Sequence, residues 1–171
     1  MPPLEISVEF FPPQTAEGEA KLEEARRRLT QRLRPAYHSV TYGAGGSTRE
    51  RTFAVVERLH RDGLDVAPHL SCIGATRAQI RDILQQYQAL GVRRLVALRG
   101  DLPSGVRDPG ELRYASELVD FIRAETGDHF WIAVAAYPEY HPQAASALAD
   151  LDAFARKMHA GADCARTQYF Y

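Results

Sequence analysis

The sequence predicts an α/β fold, a (β/α)8 TIM barrel of which this chain covers about the first six strands and five helices. Three observations predict it. Six short runs rich in Val, Ile and aromatic residues alternate with five helical patterns from end to end. Successive runs begin about 28 to 37 residues apart, the length of one βα unit. Each run also ends on or beside a side chain able to bind or do chemistry, which suits the C-terminal mouth of such a barrel.

The first strand is expected over Ile6–Phe11, with Pro12-Pro13 as a stiff exit. A first helix follows over Ala16–Leu33, then a strand over Tyr37–Tyr42. The second helix is placed over Arg49–Arg61, with Ser47 and Glu50 in capping-box spacing before it and Gly63 to stop it. The third strand spans Val66–Cys72. In the third helix, Arg77–Leu90, residues Ile80, Ile83, Leu84, Tyr87 and Leu90 recur at helical spacing and make one face apolar. Thr76 with Gln79 caps its start, and Gly91 sits where a left-handed residue would end it. Strand four is Arg94–Leu98, helix four Glu111–Glu125, strand five Trp131–Tyr137, helix five Gln143–Ala160 and strand six Cys164–Phe170. Several of these strands are too apolar to have one wet face, which argues for a parallel sheet covered on both sides.

An open doubly wound sheet is the competing architecture. It needs a glycine-rich phosphate turn after the first strand, and Phe11-Pro12-Pro13 cannot form one. Gly43-Ala-Gly45-Gly46-Ser47-Thr48 carries Thr48 where that fingerprint requires its last glycine. The barrel remains, with residues 1–171 as a single catalytic domain. Eight strands need at least about 200 residues, so a chain of 171 is expected to be truncated before the last βα units.

Composition excludes several classes. Hydrophobic residues make up 45% and charged residues 25%, as in an ordinary globular domain. With 21 basic against 22 acidic residues there is no field to attract nucleic acid or an anionic membrane. The longest apolar run, Phe130–Tyr137, is far shorter than the roughly 20 residues that cross a bilayer. Cys72 and Cys164 fit no Cys-x-x-Cys spacing and read as reduced thiols, and the first residues lack the form of a secretory signal. A soluble, cytoplasmic protein is expected.

The chemistry-bearing strand ends are Glu9, Thr41, His69, Arg99 with Asp101, Tyr137 and Gln168. Glu9 lies among apolar and aromatic neighbours; burial there would raise its carboxyl pKa and suit a general acid, whereas an edge strand would turn it to solvent. Arg99-Gly100-Asp101 reads either as a backbone that a flat ligand can approach closely or as a local ion pair. His69 reads as a site residue or a satisfied core histidine, and His69, His141 and Cys72 have no metal-ligand spacing. Asp150, Arg156 and Lys157 on the fifth helix read as a solvated face, except that the adjacent cations suit a pyrophosphate. No lysine stands at a strand end, which disfavours a Schiff-base aldolase or lyase.

Taken in order, the segments Glu9-Phe-Phe-Pro-Pro13, Ser39-Val-Thr-Tyr-Gly-Ala-Gly-Gly-Ser47, Ala67-Pro-His-Leu-Ser-Cys72, Val96-Ala-Leu-Arg-Gly-Asp101, Tyr114-Ala-Ser116, Ala135-Ala-Tyr-Pro-Glu139 with His141-Pro142, and Lys157 with Ala160-Gly-Ala162 and Thr167-Gln168 resemble the methylenetetrahydrofolate reductase family. The resemblance runs over essentially the whole chain. It implies a (β/α)8 barrel with FAD across its mouth, and hydride transfer from NAD(P)H through FAD to 5,10-methylenetetrahydrofolate, giving 5-methyltetrahydrofolate. It further implies FAD contacts at Thr41, Tyr42, Ala44, His69, Arg99, Gly100, Asp101, Tyr114, Ala115, Tyr137, His141, Ala144, Asp150, Arg156 and Lys157. By the same resemblance Glu9 is the acid, Asp101 tunes the flavin, and Glu9 and Gln168 meet the substrates. The expected partners are NAD(P)H and a folate, in a homo-oligomer, with no metal, nucleic acid or membrane. The alternative from truncation is a non-catalytic remnant that binds flavin or a partner.

Overall fold

A computed structural model describes residues 5–42, 46–101 and 109–170, without the side chains of residues 46–48. The element order is β1 (Ser7–Phe10), α1 (Ala16–Leu33), β2 (Tyr37–Val40), α2 (Gly46–Arg61), β3 (Val66–Ser71), α3 (Arg77–Leu90), β4 (Arg94–Leu98), α4 (Ala115–Thr126), β5 (Trp131–Ala136), α5 (Ala147–His159) and β6 (Cys164–Thr167). The chain divides into two compact units, residues 1–69 and 70–171, with the division falling inside β3.

In the first unit β1 pairs in parallel with β2 (Ser7 beside Tyr37, Glu9 beside Ser39), and β2 with β3 (His38 beside Val66). Side chains alternate across a strand. Phe10 therefore enters the core and stacks on His38 of β2, while Glu9 takes the opposite face. Val40, Val55, Val56, Leu59 and Val66 complete that core. The Thr15 hydroxyl accepts from Gly18 N at the start of α1, at 3.1 Å.

In the second unit the backbone leaving β3 bonds the end of β4, with Cys72 N donating to Leu98 O and Ile73 N to Arg99 O. β4 pairs in parallel with β5 (Leu95 beside Ile132), and β5 with β6 (Val134 beside Ala165). Both faces of β4 and β5 are buried, as the continuous apolar runs predicted. α4 packs on β4 and on α3, burying Leu118, Val119, Phe121 and Ile122, and α3 buries Ile80, Ile83, Leu84 and Tyr87. The predicted capping box is formed at Thr76 and Gln79, and Gly91 takes φ 90°. The alternating, all-parallel order is that of a (β/α)8 barrel through its sixth strand.

The boundaries depart from the sequence reading where side chains rather than periodicity decide them. α4 begins at Ala115, since the Glu111 carboxylate is turned back to accept from Arg77 N at 2.6 Å and so caps α3. α5 begins at Ala147 because Ser146 is the cap, its hydroxyl accepting from Ala149 N at 3.1 Å. α2 begins at Gly46, so Ser47 lies inside the helix rather than before it. β6 ends at Thr167, short of Phe170: Tyr169 and Phe170 are exposed, and their aromatic character extended the apolar run beyond the ladder.

Candidate functional site

The second unit holds a cavity of about 490 Å³ at the C-terminal ends of β4 and β5, walled by the start of α4, by residues 141–145 and by α5. Of the residues expected to hold a ligand, Arg99, Gly100, Asp101, Tyr114, Ala115, Tyr137, His141, Ala144, Asp150, Arg156 and Lys157 all line it. The strand ends supply the first three and Tyr137. α5 supplies Asp150, Arg156 and Lys157 from one side, and α4 supplies Ala115 at an N-terminus that no side chain caps.

Gly100 is fixed by geometry. Its φ is +83°, and a Cβ there would stand 1.9 Å from Ser71 Oγ and 3.0 Å from Ile73 Cγ2. Ser71 in turn donates to Arg99 O at 2.8 Å, so the turn is locked onto the end of β3. The glycine is needed for this internal packing, a different reason from the close approach of a ligand. Arg99 extends along the cavity and donates to Gln143 Oε1 at 2.7 Å; Asp101 lies 3.8 Å from the same guanidinium and is 92% exposed. Of the two sequence readings of Arg99-Gly100-Asp101, the structure shows the local ion pair, long and at a cavity wall.

Lys157 is half-buried and donates to Ala135 O at 2.5 Å. Burial pulls its pKa down, partly offset by the Asp150 carboxylate. Neighbouring Arg156 is exposed at the rim. Tyr137 packs edge-on against His141, with ring centroids 4.6 Å apart, and burial raises its pKa, helped by Asp101 and Asp150 and opposed by Arg99. The cavity therefore offers three cations (Arg99, Arg156 and Lys157), aromatic rings at Tyr114 and Tyr137, and an apolar floor at Ala97, Leu98 and Ala135. Such a set suits a ligand with anionic groups at one end and a ring at the other.

Sequence reasoning missed Gln143 and the small residues Ala145, Ala149 and Ala153. For two of them the signal was available: Ala149 and Ala153, continued at the same spacing by Lys157, mark one smooth face of α5 ending in a cation.

Of the remaining expected residues, Glu9, Thr41, Tyr42, Ala44 and His69 belong to the first unit. In the first unit Glu9 Oε2 accepts from Ser39 Oγ at 3.3 Å and stands 3.2 Å from His69 Nε2. The carboxylate side chain is 39% exposed, which corrects the expectation that its apolar neighbours bury it: strand alternation sends Phe10 to the core and Glu9 away from it. His69 is buried and the Ser39 residue fully so. Thr41 N continues the β1–β2 ladder to Phe10 O, and Thr41 O accepts from Thr52 Oγ1 at 2.9 Å. Tyr42 is half-buried, its pKa raised by that burial against Arg49. Ala44 lies outside the described residues. Gln168 follows β6, exposed, and is not among the residues lining the cavity.

Burial pushes the Cys72 thiol up to about 11. Among the described residues no group of three His, Cys, Asp or Glu is placed to hold a metal ion, and no helix is long and apolar enough to cross a membrane.

A family model described as methylenetetrahydrofolate reductase matches residues 3–171. Among curated relatives, the 5,10-methylenetetrahydrofolate reductase of Pectobacterium carotovorum is 47% identical over 169 residues, covering 98% of this chain and 55% of that protein. Its Escherichia coli counterpart is 48% identical over the same shares. "Methylenetetrahydrofolate reductase (NADH) 1" of Zea mays is 37% identical over 97% of this chain and 30% of its own. A solved phosphoenolpyruvate phosphomutase from Streptomyces platensis superposes with a TM-score of 0.56 at 12% identity, over 96% of this chain and 60% of that one, a likeness of fold alone. The chain spans about half the length of the bacterial relatives it matches.

Proposed function

The chain belongs to the methylenetetrahydrofolate reductase family, and on that premise we propose that it is the FAD-binding part of an enzyme that reduces 5,10-methylenetetrahydrofolate to 5-methyltetrahydrofolate with NAD(P)H. The supporting observation is that eleven residues expected to meet FAD line one cavity of the second unit. The residues present fit that cofactor. Arg156 and Lys157 give adjacent cations for a pyrophosphate, Tyr114 an exposed ring for stacking, and Gly100 with Ala97 and Ala135 a wall free of bulky side chains.

When bound, FAD supplies a two-electron carrier between the nicotinamide and the folate. The chain's own residues bind, orient and move a proton. Arg156 and Lys157 hold the phosphates. Asp101 opposes extra negative charge at the ring end and so tunes reduction. Glu9 donates a proton to the amine nitrogen that leaves as the folate's five-membered ring opens, and Gln168 orients the substrates. By the family resemblance Thr41, Tyr42 and His69 are further candidates to meet FAD, and Ala44, outside the described residues, is a candidate with them. The protein acts as a single catalytic domain in a cytoplasmic homo-oligomer, with NADH or NADPH as donor.

A second reading, flavin binding without turnover, is favoured by the span of about half of the bacterial relatives. One experiment separates them. The purified protein is titrated with FAD by fluorescence quenching, then assayed for flavin reduction by NAD(P)H and reoxidation by the folate. Binding with both half-reactions supports the reductase; binding alone supports the second reading; no binding overturns both. Charge-assisted bonds to phosphate contribute about 1.5–3 kcal/mol each, so the Arg156→Ala, Lys157→Ala double variant loses at least about tenfold in FAD affinity. Unchanged affinity would put the pyrophosphate elsewhere.

A further inference from the structure

We propose that Ser39 is a positioning residue for the acid Glu9, holding its carboxylate oxygen and stabilising the charge that proton donation leaves there. The inference rests on the reductase reading above, in which Glu9 is the acid. Its own basis is geometric. Ser39 is the direct parallel-strand partner of Glu9. Its side chain shares a face with that carboxylate, and Oγ donates to Glu9 Oε2 at 3.3 Å. Ser39 is 0% exposed, whereas the Glu9 side chain is 39% exposed. The hydroxyl is thus held by packing, and the carboxylate it meets retains access to solvent and to a substrate.

A buried donor facing a half-exposed carboxylate acts on one protonation state. Ser39 O–H stabilises Glu9 as the anion more than as the neutral acid, because the anion is the stronger acceptor. In the folate step the O–H bond of the Glu9 carboxyl breaks, the new N–H bond forms on the leaving amine nitrogen, and the electron pair stays on the carboxylate. Ser39 meets that developing charge without moving, the condition under which a hydrogen bond lowers a barrier instead of merely binding the ground state. Among the described residues β3 brings the titratable His69 to the same oxygen, with Nε2 at 3.2 Å. β2 presents the Ser39 hydroxyl, which does not titrate.

The test uses three variants, Ser39→Ala, Ser39→Thr and Glu9→Gln, and two readouts. The first is the midpoint of the Glu9 carboxyl titration followed by 13C NMR on the FAD-free protein. Losing a donor to the anion moves that midpoint up in Ser39→Ala, by about half a unit or more, and Ser39→Thr restores it. The second is stopped-flow kinetics. Ser39→Ala slows reoxidation by the folate about 3- to 10-fold with KM within about twofold, and leaves flavin reduction by NAD(P)H unchanged. In the Glu9→Gln background, Ser39→Ala has no further effect on the folate step, since the two act as one unit.

A midpoint that stays put in Ser39→Ala overturns the proposal. So does an equal fall of both half-reactions accompanied by a lower melting temperature, which would make Ser39 a packing residue. If the parent protein is not reoxidised by the folate at all, the reductase reading falls instead, and the titration alone decides whether Ser39 holds Glu9.

Discussion

Gly100 and Gly63 share a left-handed backbone, φ +83° and +78°, yet differ in surroundings: a Cβ meets Ser71 at the first and nothing within 4 Å at the second. Alanine at either position incurs the left-handed penalty of about 1–2 kcal/mol. At Gly100 the clash adds about 1–3 kcal/mol of overpacking. Urea unfolding of Gly100→Ala and Gly63→Ala should therefore differ by at least about 1 kcal/mol, and equal losses would mean that Ser71 yields freely. Lys157 carries a prediction with a sign. Its folded pKa lies below 10.5, so between that lowered value and 10.5 the unfolded chain binds more protons than the native one. Native stability gains from this group as pH rises through that window. Lys157→Met lacks the gain, so unfolding curves at successive pH values should move in favour of the parent as pH approaches 10.5. Parallel curves would show that the lysine titrates normally. At this scale the sequence was legible where a residue type is scarce or charged, as at Lys157, one of two lysines. It was misleading at Glu9, because apolar neighbours in a strand point the other way.

Arg123 of α4 carries much of the order at the end of α5. Its guanidinium donates to Phe130 O at 2.7 Å and Gly161 O at 2.8 Å, and pairs with the Asp163 carboxylate at 2.7 Å. Asp163 Oδ2 also accepts from Ile132 N at 2.7 Å, so one side chain ties α4 to the entries of both β5 and β6. Arg123→Ala removes several charge-assisted bonds while leaving the partly exposed Asp163, and should cost about 2–4 kcal/mol. Amide exchange should then quicken first at Gly161 to Asp163. Arg123→Lys should recover little, since an ammonium cannot span the three acceptors. A loss below about 0.5 kcal/mol would class the cluster with ordinary surface pairs. The type and order of all eleven elements were legible, because period and caps are local signals. Four helix starts show the limit. Those of α1 and α3 fall where expected, α3 on the capping box that the chain's own spacing reveals. α4 and α5 start late, because Glu111 is recruited by Arg77 of another element and Ser146 was overlooked as a cap.

For the whole chain, the parallel registers also govern how folding proceeds in time. Strand partners lie 28 to 37 residues apart, from His38 with Val66 to Arg94 with Trp131. Loop-closure entropy grows only logarithmically, so the longest crossover costs about 0.25 kcal/mol more than the shortest. Closure therefore gives no strand pair a head start, and the order of events falls to side-chain content. In the second unit that content is uneven. Leu95, Val96, Ala97, Ile132, Ala133 and Val134 are all buried on β4 and β5, whereas α5 buries no residue fully. Folding of this unit is expected to nucleate on β4 and β5 and to add α5 late. Transition-state analysis would give high φ-values for Leu95→Ala and Ile132→Val and values near zero for Phe154→Ala, and a reversal of that ranking would refute the scheme. The wall that carries Arg156 and Lys157 would then be the last part of the cavity to form and the first to open. Loss of a bound ligand would begin on the helix side while the strand side still stands.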